Sequence, residues 1–520
     1  MADSSSSSTL AGSGLAAASA DSAVRDDLRA AADLAATYLG DVAERPVWQA
    51  MPEQARAALL DAPLPENGRA VGELLDEAAR RVLVYPMGNG HPAFFGWVNA
   101  APHPAAVAAG LLASASNPSS AGGDHADVPL ERAVVRWLAQ LVGYPHQTGA
   151  GLLTSGASMA TIVAVGAARH RALERAGWNV RERGLAGAPQ LTAYATAEAH
   201  SCVRKAIELL GIGSHALRTV PERFGTTNSG TGTGAEHGAG SSGAGMDVEA
   251  LREMIAQDRA AGRLPFLVVA SAGTVNTGAI DPFEQIADVC KSPDGHEGGL
   301  WLHVDGAYGA FGVLDEGVAA RYAGMARADS LALDPHKWLQ VPIGVGALLV
   351  ADRELLRSAF SLVPPYLRDE SGDALGWLSE YGIEQTRQFR ALPVWASIAA
   401  RGREGVARDV AACIEAAREL ARLVGEAPDL ELAAPVELSI VAFRYAPRGV
   451  TAQEADRVNA ALPVAIQERG AAFVTGSVYR GRPVLRACVI NPATREEHVR
   501  LLVAEARAAG AALIAGSAEY

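Results

Sequence analysis

The sequence predicts an α/β fold whose central sheet is mostly parallel and covered by helices. Short apolar runs typical of strands alternate with helical patterns between about residues 150 and 350, and such alternation builds parallel sheets. Polar side chains directly follow several of these runs, namely His200, Thr274, Asp305 and Lys337. Because functional side chains of parallel sheets gather at the carboxyl ends of the strands, we expect these four residues to lie together. A length of 520 residues allows one large domain with smaller ones attached.

Composition and periodicity divide the chain into four segments. In order, they are a disordered Ser/Ala-rich tail (1–23), an N-terminal helical segment (24–103), a large α/β domain (104–392) and a small C-terminal α+β domain (393–520). The N-terminal segment has helical patterns at Val24–Leu39 and Val71–Val84, and the Pro-containing connector Pro46–Pro65 is predicted to be irregular. Residues 225–245 are almost entirely Gly, Ser, Thr and Ala, which predicts a flexible surface insert.

Charge and cysteine usage exclude several classes of partner. The net charge of −13 argues against nucleic acid or an anionic membrane as a partner. No apolar run approaches the ~18–20 residues of a membrane span, and the N-terminus lacks the basic region of a signal peptide. Four cysteines stand singly and without zinc-site spacing, at Cys202, Cys290, Cys413 and Cys488. Because reduced thiols are typical of the cytoplasm, we predict a cytoplasmic protein.

Lys337 is the residue around which the predicted site is arranged. Only three of the 45 basic residues are lysines, the other two being Lys205 and Lys291. An arginine stays protonated, whereas a lysine amine can lose its proton and condense with an aldehyde. Lys337 closely follows the apolar run Ser330–Leu333, so we predict imine chemistry there. For Lys205 and Lys291 a surface position is the better interpretation.

A second candidate feature is the turn Ser155-Gly156-Ala157-Ser158, which connects a strand pattern to an Ala/Val-rich helix. Free N–H groups and a hydroxyl at a helix start favour an anion, because this end of a helix carries partial positive charge. The turn is neither a Walker P-loop nor a dinucleotide GxGxxG motif. It therefore predicts an anion site at Ala157 and Ser158, although a simple N-cap role is equally compatible with Ser158.

The stretch His91–Trp97 concentrates ring-bearing side chains, among them Phe94, Phe95 and Trp97. Glycine and proline interrupt any regular period there, and loops of this composition often line pockets. We predict that these three aromatic residues contact a substrate, with ordinary core packing as the alternative.

An imine-forming lysine, an aspartate after a parallel strand and an anion-binding helix start together describe a site for pyridoxal 5'-phosphate. Asp305 would keep the pyridine nitrogen protonated, His200 would stack on the ring, and Thr274 and Ala307 would border it. Asp305 could instead be an N-cap, or a metal ligand together with His303 two residues earlier. Because no further ligand cluster is evident, we predict no metal. An ordinary loop histidine is the alternative for His200.

The sequence resembles the group II pyridoxal-phosphate-dependent amino-acid decarboxylases, the relatives of aromatic-L-amino-acid decarboxylase. The resemblance runs from about His91 to the C-terminus and is carried by HPAFFGW, TSGASMAT, AHSCVRKA, SAGTVNTGAID, WLHVDGAYG, ADSLALDPHKW, PPYL, TRQFRALPVW and LRACVINP. It implies fold type I and a homodimer in which the N-terminal segment packs on the partner subunit. Arg387 matches an arginine of the family's TRQFR-type segment, which implies a substrate contact. The implied cofactor contacts are Ala157, Ser158, His200, Thr274, Asp305, Ala307, Asp334, His336 and Lys337.

The resemblance also assigns a proton transfer to Tyr366, assisted by His200. Family members with phenylalanine at the matching position are associated with aldehyde production. Without the resemblance, Tyr366 would be interpreted as an aromatic anchor of a Pro-rich loop. Three positions depart from the family pattern: Met159 replaces an acidic residue, Asp334 stands where animal members have asparagine, and Gly306 replaces an alanine.

We predict the decarboxylation of an L-amino acid to an amine and CO₂, and Phe94, Phe95 and Trp97 favour an aromatic side chain for this substrate. Decarboxylases of glutamate, cysteine sulfinate, diaminobutyrate and histidine share the scaffold, so these substrates stay open. Two further alternatives are another fold type I reaction, such as an aminotransferase or lyase, and a non-catalytic cofactor-binding protein. The complete set of Asp305, Lys337 and Tyr366 argues against the last.

Overall fold

The computed structural model describes residues 8–147, 150–223, 245–291, 299–362 and 377–517. Tyr366 and, apart from Gly245, the predicted insert 225–245 lie outside the described residues.

Helices and strands alternate over most of the described chain. The helices are α1 (Ser8–Gly40), α2 (Glu53–Leu60), α3 (Val71–Arg81), α4 (Pro104–Ser116), α5 (Asp127–Val142), α6 (Ala157–Arg175), α7 (Val180–Arg183), α8 (Ser201–Leu209), α9 (Val248–Ala260), α10 (Phe283–Cys290), α11 (Glu354–Phe360), α12 (Ala391–Glu426), α13 (Ala452–Arg469) and α14 (Glu496–Ser517). The strands are β1 (Phe94–Phe95), β2 (Ala150–Thr154), β3 (Leu191–Thr196), β4 (Leu217–Val220), β5 (Glu222–Arg223), β6 (Gly245–Met246), β7 (Leu264–Ser271), β8 (Trp301–Asp305), β9 (Ser330–Leu333), β10 (Gly346–Val350), β11 (Leu430–Leu432), β12 (Ile440–Tyr445), β13 (Phe473–Tyr479) and β14 (Arg482–Cys488).

The predicted mostly parallel sheet is confirmed. Seven strands lie in the order β2-β10-β9-β8-β7-β3-β4, and β3, β4, β7, β8 and β9 pair in parallel. Sequence reasoning missed β10, which runs antiparallel to both of its neighbours, β2 and β9. Its five residues are all buried, so their apolar run lacks the alternation that distinguishes a strand from other buried segments.

A second, five-stranded sheet forms the small C-terminal domain, in the order β1-β13-β14-β12-β11. Its first strand comes from a distant part of the chain, because Phe94 and Phe95 pair in parallel with Phe473 and Val474. These two phenylalanines had been assigned by sequence to the N-terminal helical segment 24–103. They belong instead to the C-terminal sheet, and this pairing brings Trp97, two residues after Phe95, against Phe473 of that sheet.

The N-terminal segment is more helical than the sequence predicted. Helix α1 begins at Ser8, inside the range 1–23 that was predicted as a disordered tail, because its alanine content favours a helix. Helix α2 lies within the connector Pro46–Pro65, which was predicted to be irregular. Pro52 stands at its N-cap, where the missing N–H of proline costs nothing.

Helix α12 joins the two sheets into one body. It buries residues along most of its length, including Val394, Val406, Val410 and Leu420. These side chains belong to the same apolar cluster as Leu331 of the central sheet and as residues of the C-terminal sheet. The two sheets are thereby held together by a shared core, and the space between them can serve as a shaped cavity.

Candidate active site

A cavity of about 360 Å³ lies where the central sheet meets the C-terminal domain. Its walls include strand ends and helix starts of the large domain, at Ser271, Asp305, Asp334, Ser158 and His200. The opposite wall comes from the C-terminal sheet and the segment after β1, with Trp97, Ile440, Thr475, Gly476, Ser477 and Arg486. The site is therefore at the carboxyl edge of the parallel strands, as expected for this architecture.

Asp305 is a carboxylate fixed at the bottom of this cavity. It is the last residue of β8, whose neighbours β7 and β9 hold it in register at Ser271 and Ala332. One oxygen, Oδ1, accepts a hydrogen bond of 3.2 Å from the amide of Ala307, and Cys202 Sγ lies 3.9 Å from Oδ2. Only 8% of Asp305 is exposed, so a cation placed against it would be only weakly screened by water.

Lys337 reaches the same cavity from the turn that follows β9. Its Nζ lies 3.0 Å from Oδ2 of Asp334, and its amide donates to the carbonyl of Asp334. The next two residues, Trp338 and Leu339, are fully buried and anchor the turn. The amine is thus positioned by both its own backbone and a carboxylate partner.

His200 caps helix α8, with its Nδ1 accepting a 3.2 Å hydrogen bond from the amide of Cys202. Since Nδ1 accepts, the neutral ring carries its proton on Nε2. Burial lowers the pKa of His200, an effect that the Asp305 carboxylate partly offsets. Ligand atoms of His200, Cys202 and Asp305 lie within 4.8 Å of one another, so that the predicted proximity of His200 and Asp305 is confirmed.

The start of helix α6 contributes a cluster of polar groups. The amide of Ala157 donates a 2.7 Å hydrogen bond to Oδ1 of Asp334, and Ser158 lines the cavity beside it. His336 does not line the cavity: its Nδ1 lies 2.6 Å from the carbonyl oxygen of Val345 and 3.7 Å from Asp334 Oδ1. His336 therefore lies beside Asp334 but outside the lining of the cavity, so its direct contact with a cofactor stays a prediction.

Thr274 and Ala307 both line the cavity, as predicted. Thr274 is held by hydrogen bonds of its Oγ1 with Thr277 and with the amide of Ala279. The glycine that departs from the family pattern, Gly306, has a packing reason: a Cβ there would lie 2.6 Å from the Cβ of Ala310. A side chain at position 306 would therefore clash with Ala310.

Only one of the three predicted aromatic substrate contacts lines the cavity. Trp97 does so, in a left-handed conformation with φ of 44°. Phe94 and Phe95 are core residues of the C-terminal sheet, at most 2% exposed, and Phe94 stacks on Phe473 with ring centroids 4.8 Å apart. Neither phenylalanine lines the cavity, and the alternative of core packing describes them better, because they pair as a strand and bury their rings.

Arg387 is also placed elsewhere. Its guanidinium forms a two-pronged ion pair with Glu131, with Nη2 2.6 Å from Oε1 and Nη1 3.1 Å from Oε2. It also donates to the carbonyls of Ser120 and Leu153. Both charged side chains are fully buried, and Arg387 does not line the cavity. The predicted substrate contact is therefore replaced by a structural ion pair that joins α5, β2 and the segment before α12.

This ion pair yields a prediction for stability. Arg387→Met should lower the free energy of unfolding by about 3–5 kcal/mol, because Glu131 would be left as a buried, unpaired charge. The double variant Arg387→Met/Glu131→Leu should recover a large part of this loss. Urea unfolding of the two variants and of the parent chain checks this; a raised KM of Arg387→Met with unchanged stability would restore the substrate role.

Sequence reasoning missed Arg486 on β14. Its Nε donates to the carbonyl of Val275 at 2.6 Å and its Nη1 to the carbonyl of Trp97 at 3.1 Å. Arg486 is 6% exposed and lines the cavity, and it has no carboxylate partner among the described residues. An arginine inside the otherwise apolar run Val484–Val489 is the signal that could have revealed it, since charged residues are rarely buried without a role.

Comparison with known proteins identifies the family. The pyridoxal-dependent decarboxylase conserved domain matches residues 52–230 and 240–446. The chain belongs to the pyridoxal-dependent decarboxylase family. It is 31% identical over 483 residues to the aromatic-L-amino-acid decarboxylase of Bacillus atrophaeus, covering 92% of this chain and 93% of that one. It is 29% identical to an acidic amino acid decarboxylase of Mus musculus, over 88% of this chain and 80% of the relative.

A solved structure supports the same assignment. The crystal structure of Oryza sativa TDC with PLP and tryptamine superposes with a TM-score of 0.82 at 27% identity, covering 94% of this chain and 98% of that chain. The protein is thus a fold type I, pyridoxal-phosphate-dependent amino-acid decarboxylase. No helix in the described ranges combines the length and apolarity needed to cross a membrane.

The residues at the cavity of this decarboxylase fit pyridoxal phosphate. The start of α6 presents Ser158 for an anion, Lys337 offers an amine for the aldehyde, and the nearly buried Asp305 suits a protonated ring nitrogen. Thr274 and Ala307 also line the cavity, and both have small side chains. Acid, amine and anion site therefore stand around one space, as the cofactor requires.

Proposed function

We propose that this decarboxylase converts an aromatic L-amino acid to its amine and CO₂. The observation that carries the proposal is the charge of the cavity wall. Besides Lys337, Arg486 is the only lysine or arginine among the described lining residues. One guanidinium matches the one carboxylate of an amino acid with an uncharged side chain, whereas an acidic substrate carries two.

The placement of Arg387 strengthens this argument. As a second cavity cation, it would have suited the side-chain carboxylate of glutamate or cysteine sulfinate. Its donors are used by Glu131 and by two carbonyls instead. Trp97 meanwhile supplies an apolar face at the cavity, and aromatic rings favour offset or edge contacts with such a face.

We assign the cofactor-holding roles to the residues that surround the cavity. Lys337 would hold the aldehyde carbon, Asp305 would keep the ring nitrogen protonated, and His200 would cover one face of the ring. Bound pyridoxal phosphate supplies a cationic ring that accepts the electrons of the bond between Cα and the carboxylate. Ala157, Ser158, Thr274 and Ala307 would contact the cofactor, with Asp334 next to the Ala157 amide and His336 near Asp334.

Proton delivery to the substrate carbon is assigned to the phenol of Tyr366, with His200 assisting. Since the structure does not describe Tyr366, this role depends on the family resemblance alone. His200 suits an assisting role because its Nδ1 is engaged by the Cys202 amide, which leaves the Nε2 proton available. A neutral ring can donate a hydrogen bond from this N–H and so orient the phenol or the substrate.

Two further properties are proposed with the function. We infer a homodimer, supported by exposed apolar side chains on and near α2 and α3, such as Leu60, Leu64 and Leu74, since such groups often mark interfaces. A cytoplasmic location stays a prediction, supported by four buried cysteines that form no disulfide.

A substrate panel tests the proposed specificity. We expect kcat/KM for tyrosine, phenylalanine, tryptophan or dopa to exceed that for glutamate, cysteine sulfinate or diaminobutyrate by roughly 10²-fold, measured as CO₂ release with the amine identified. Trp97→Leu should lower kcat/KM for the aromatic substrates about tenfold, the usual scale of a lost ring contact. Trp178→Leu is a matched control because Trp178 does not line the cavity. Faster turnover of an acidic amino acid would instead favour the alternative, an acidic amino acid decarboxylase.

A further inference from the structure

Asp334 contacts two groups that we expect the cofactor to use, namely the amide at the start of α6 and the amine of Lys337. Its Oδ1 accepts the 2.7 Å hydrogen bond from the first amide of α6, that of Ala157. Its Oδ2 lies 3.0 Å from the Nζ of Lys337. The carboxylate is only 4% exposed, so both contacts are made with little competition from water.

We propose that Asp334 competes with the phosphate of the cofactor at the start of α6 and thereby weakens the retention of phosphate-bearing cofactor. The proposal rests on the assignment of the phosphate to Ser158 under the proposed function. A helix start favours an anion because its amides point outward. At α6 this favourable position is already used by a carboxylate of the protein.

The charge of Asp334 adds to the competition for hydrogen bonds. A phosphate beside Ser158 would lie close to the Asp334 carboxylate, and two negative charges at such a separation repel more strongly in a buried site than in water. Covalent use of the Lys337 amine by the cofactor would also convert the ammonium partner of Asp334 into an imine nitrogen that carries at most one proton. The carboxylate would then face the phosphate without a neutralising ammonium.

The variant Asp334→Asn removes the negative charge and keeps the shape of the side chain, so it tests the effect of the charge alone. Its side-chain oxygen can still accept the hydrogen bond from the Ala157 amide, and its NH₂ group can donate to a phosphate oxygen. The negative charge and the ion pair with Lys337 are lost. We therefore expect Asp334→Asn to bind the phosphate-bearing cofactor more tightly than the parent protein does.

The test compares two aldehydes that differ in the phosphate only. The full-length chain, freed of cofactor with hydroxylamine, is titrated with pyridoxal phosphate and with pyridoxal, and binding is followed by absorbance and equilibrium dialysis. Asp334→Asn should lower Kd for pyridoxal phosphate about tenfold or more while changing Kd for pyridoxal less than about threefold. Inorganic phosphate alone should also bind the cofactor-free variant with a lower dissociation constant than it binds the cofactor-free parent protein.

Asp352→Asn is the control for a general change in charge, because Asp352 is exposed and lies at the start of α11. It should leave both dissociation constants unchanged, and the melting temperatures of both variants establish that they are folded. Unchanged or weaker binding of pyridoxal phosphate by Asp334→Asn would overturn the proposal. An equal change for both aldehydes would also overturn it, because the effect would then act through Lys337 and not through the phosphate. Failure of the parent chain to bind pyridoxal phosphate would contradict the proposed function itself, so the two failures are distinguishable.

Discussion

Lys337→Arg should abolish covalent attachment of the cofactor and lower kcat/KM by roughly four orders of magnitude. Arginine keeps the positive charge beside Asp334, but its guanidinium cannot lose its proton and attack an aldehyde carbon. The parent protein should absorb as a yellow imine, and borohydride should fix a pyridoxyl group on the peptide that contains Lys337. Absorbance, mass spectrometry of the reduced peptides and steady-state kinetics measure the three effects.

Lys205→Arg is the matched control for this experiment. Lys205 lies on α8, where it is exposed to solvent, and it does not line the cavity. This variant should keep the colour, the labelled peptide and the turnover of the parent protein. Label found on Lys205 or Lys291 of the parent protein would remove Lys337 from the centre of the assignment.

Tyr366→Phe should change the product from an amine to an aldehyde. The carbon that loses CO₂ must take up a proton, and a phenol can deliver one whereas a phenyl ring cannot. Without this donor, dioxygen can react at the same carbon. For each aldehyde formed, one CO₂, one ammonia and one hydrogen peroxide should appear and one dioxygen and one water should be consumed. We expect amine formation to fall by roughly 10²–10⁴-fold, with cofactor and substrate binding retained.

Tyr308→Phe provides a control from the cavity wall. The hydroxyl of Tyr308 is engaged with Ser439 at 2.7 Å, so it is not free to serve a substrate. This variant should still release amine, whatever its rate, with no oxygen consumption. Oxygen electrode traces and product chromatography distinguish the two tyrosines, and amine formation by Tyr366→Phe at the parental rate would exclude Tyr366 from the mechanism.

The positions of Asp305 and Lys337 at one edge of the sheet could be predicted from the sequence alone. Asp305 and Lys337 each follow an apolar run closely, and parallel strands bring such positions to one edge. Their neighbours in the chain therefore fix their approximate location without any knowledge of distant contacts. Strand ends carried enough information for His200, Thr274 and Ser158 as well, all of which line the cavity.

Long-range pairing explains what sequence reasoning could not reach. The sequence favours a pocket-lining loop for Phe94 and Phe95 because the strand with which they pair, at Phe473 and Val474, lies almost 380 residues later. The family resemblance implied a substrate contact for Arg387, and nothing in its local sequence reveals that Glu131 lies opposite it. Arg486 could not be assigned to the cavity from the sequence because its hydrogen-bond partners, Val275 and Trp97, are both far from it in the chain.

The position of Arg486 late in the sequence means that the cavity wall is completed late in synthesis. The amine, the acid and the anion site all come from the seven-stranded sheet and its helices, which leave the ribosome first. The cavity wall that contains Arg486 is complete only when β14 (Arg482–Cys488) has been made and has paired with β12 and β13. A chain ending before Arg482 would thus hold every cofactor-facing strand end and still lack the guanidinium that bridges Val275 and Trp97. The guanidinium of Arg486 is therefore among the last parts of the cavity wall to be synthesised.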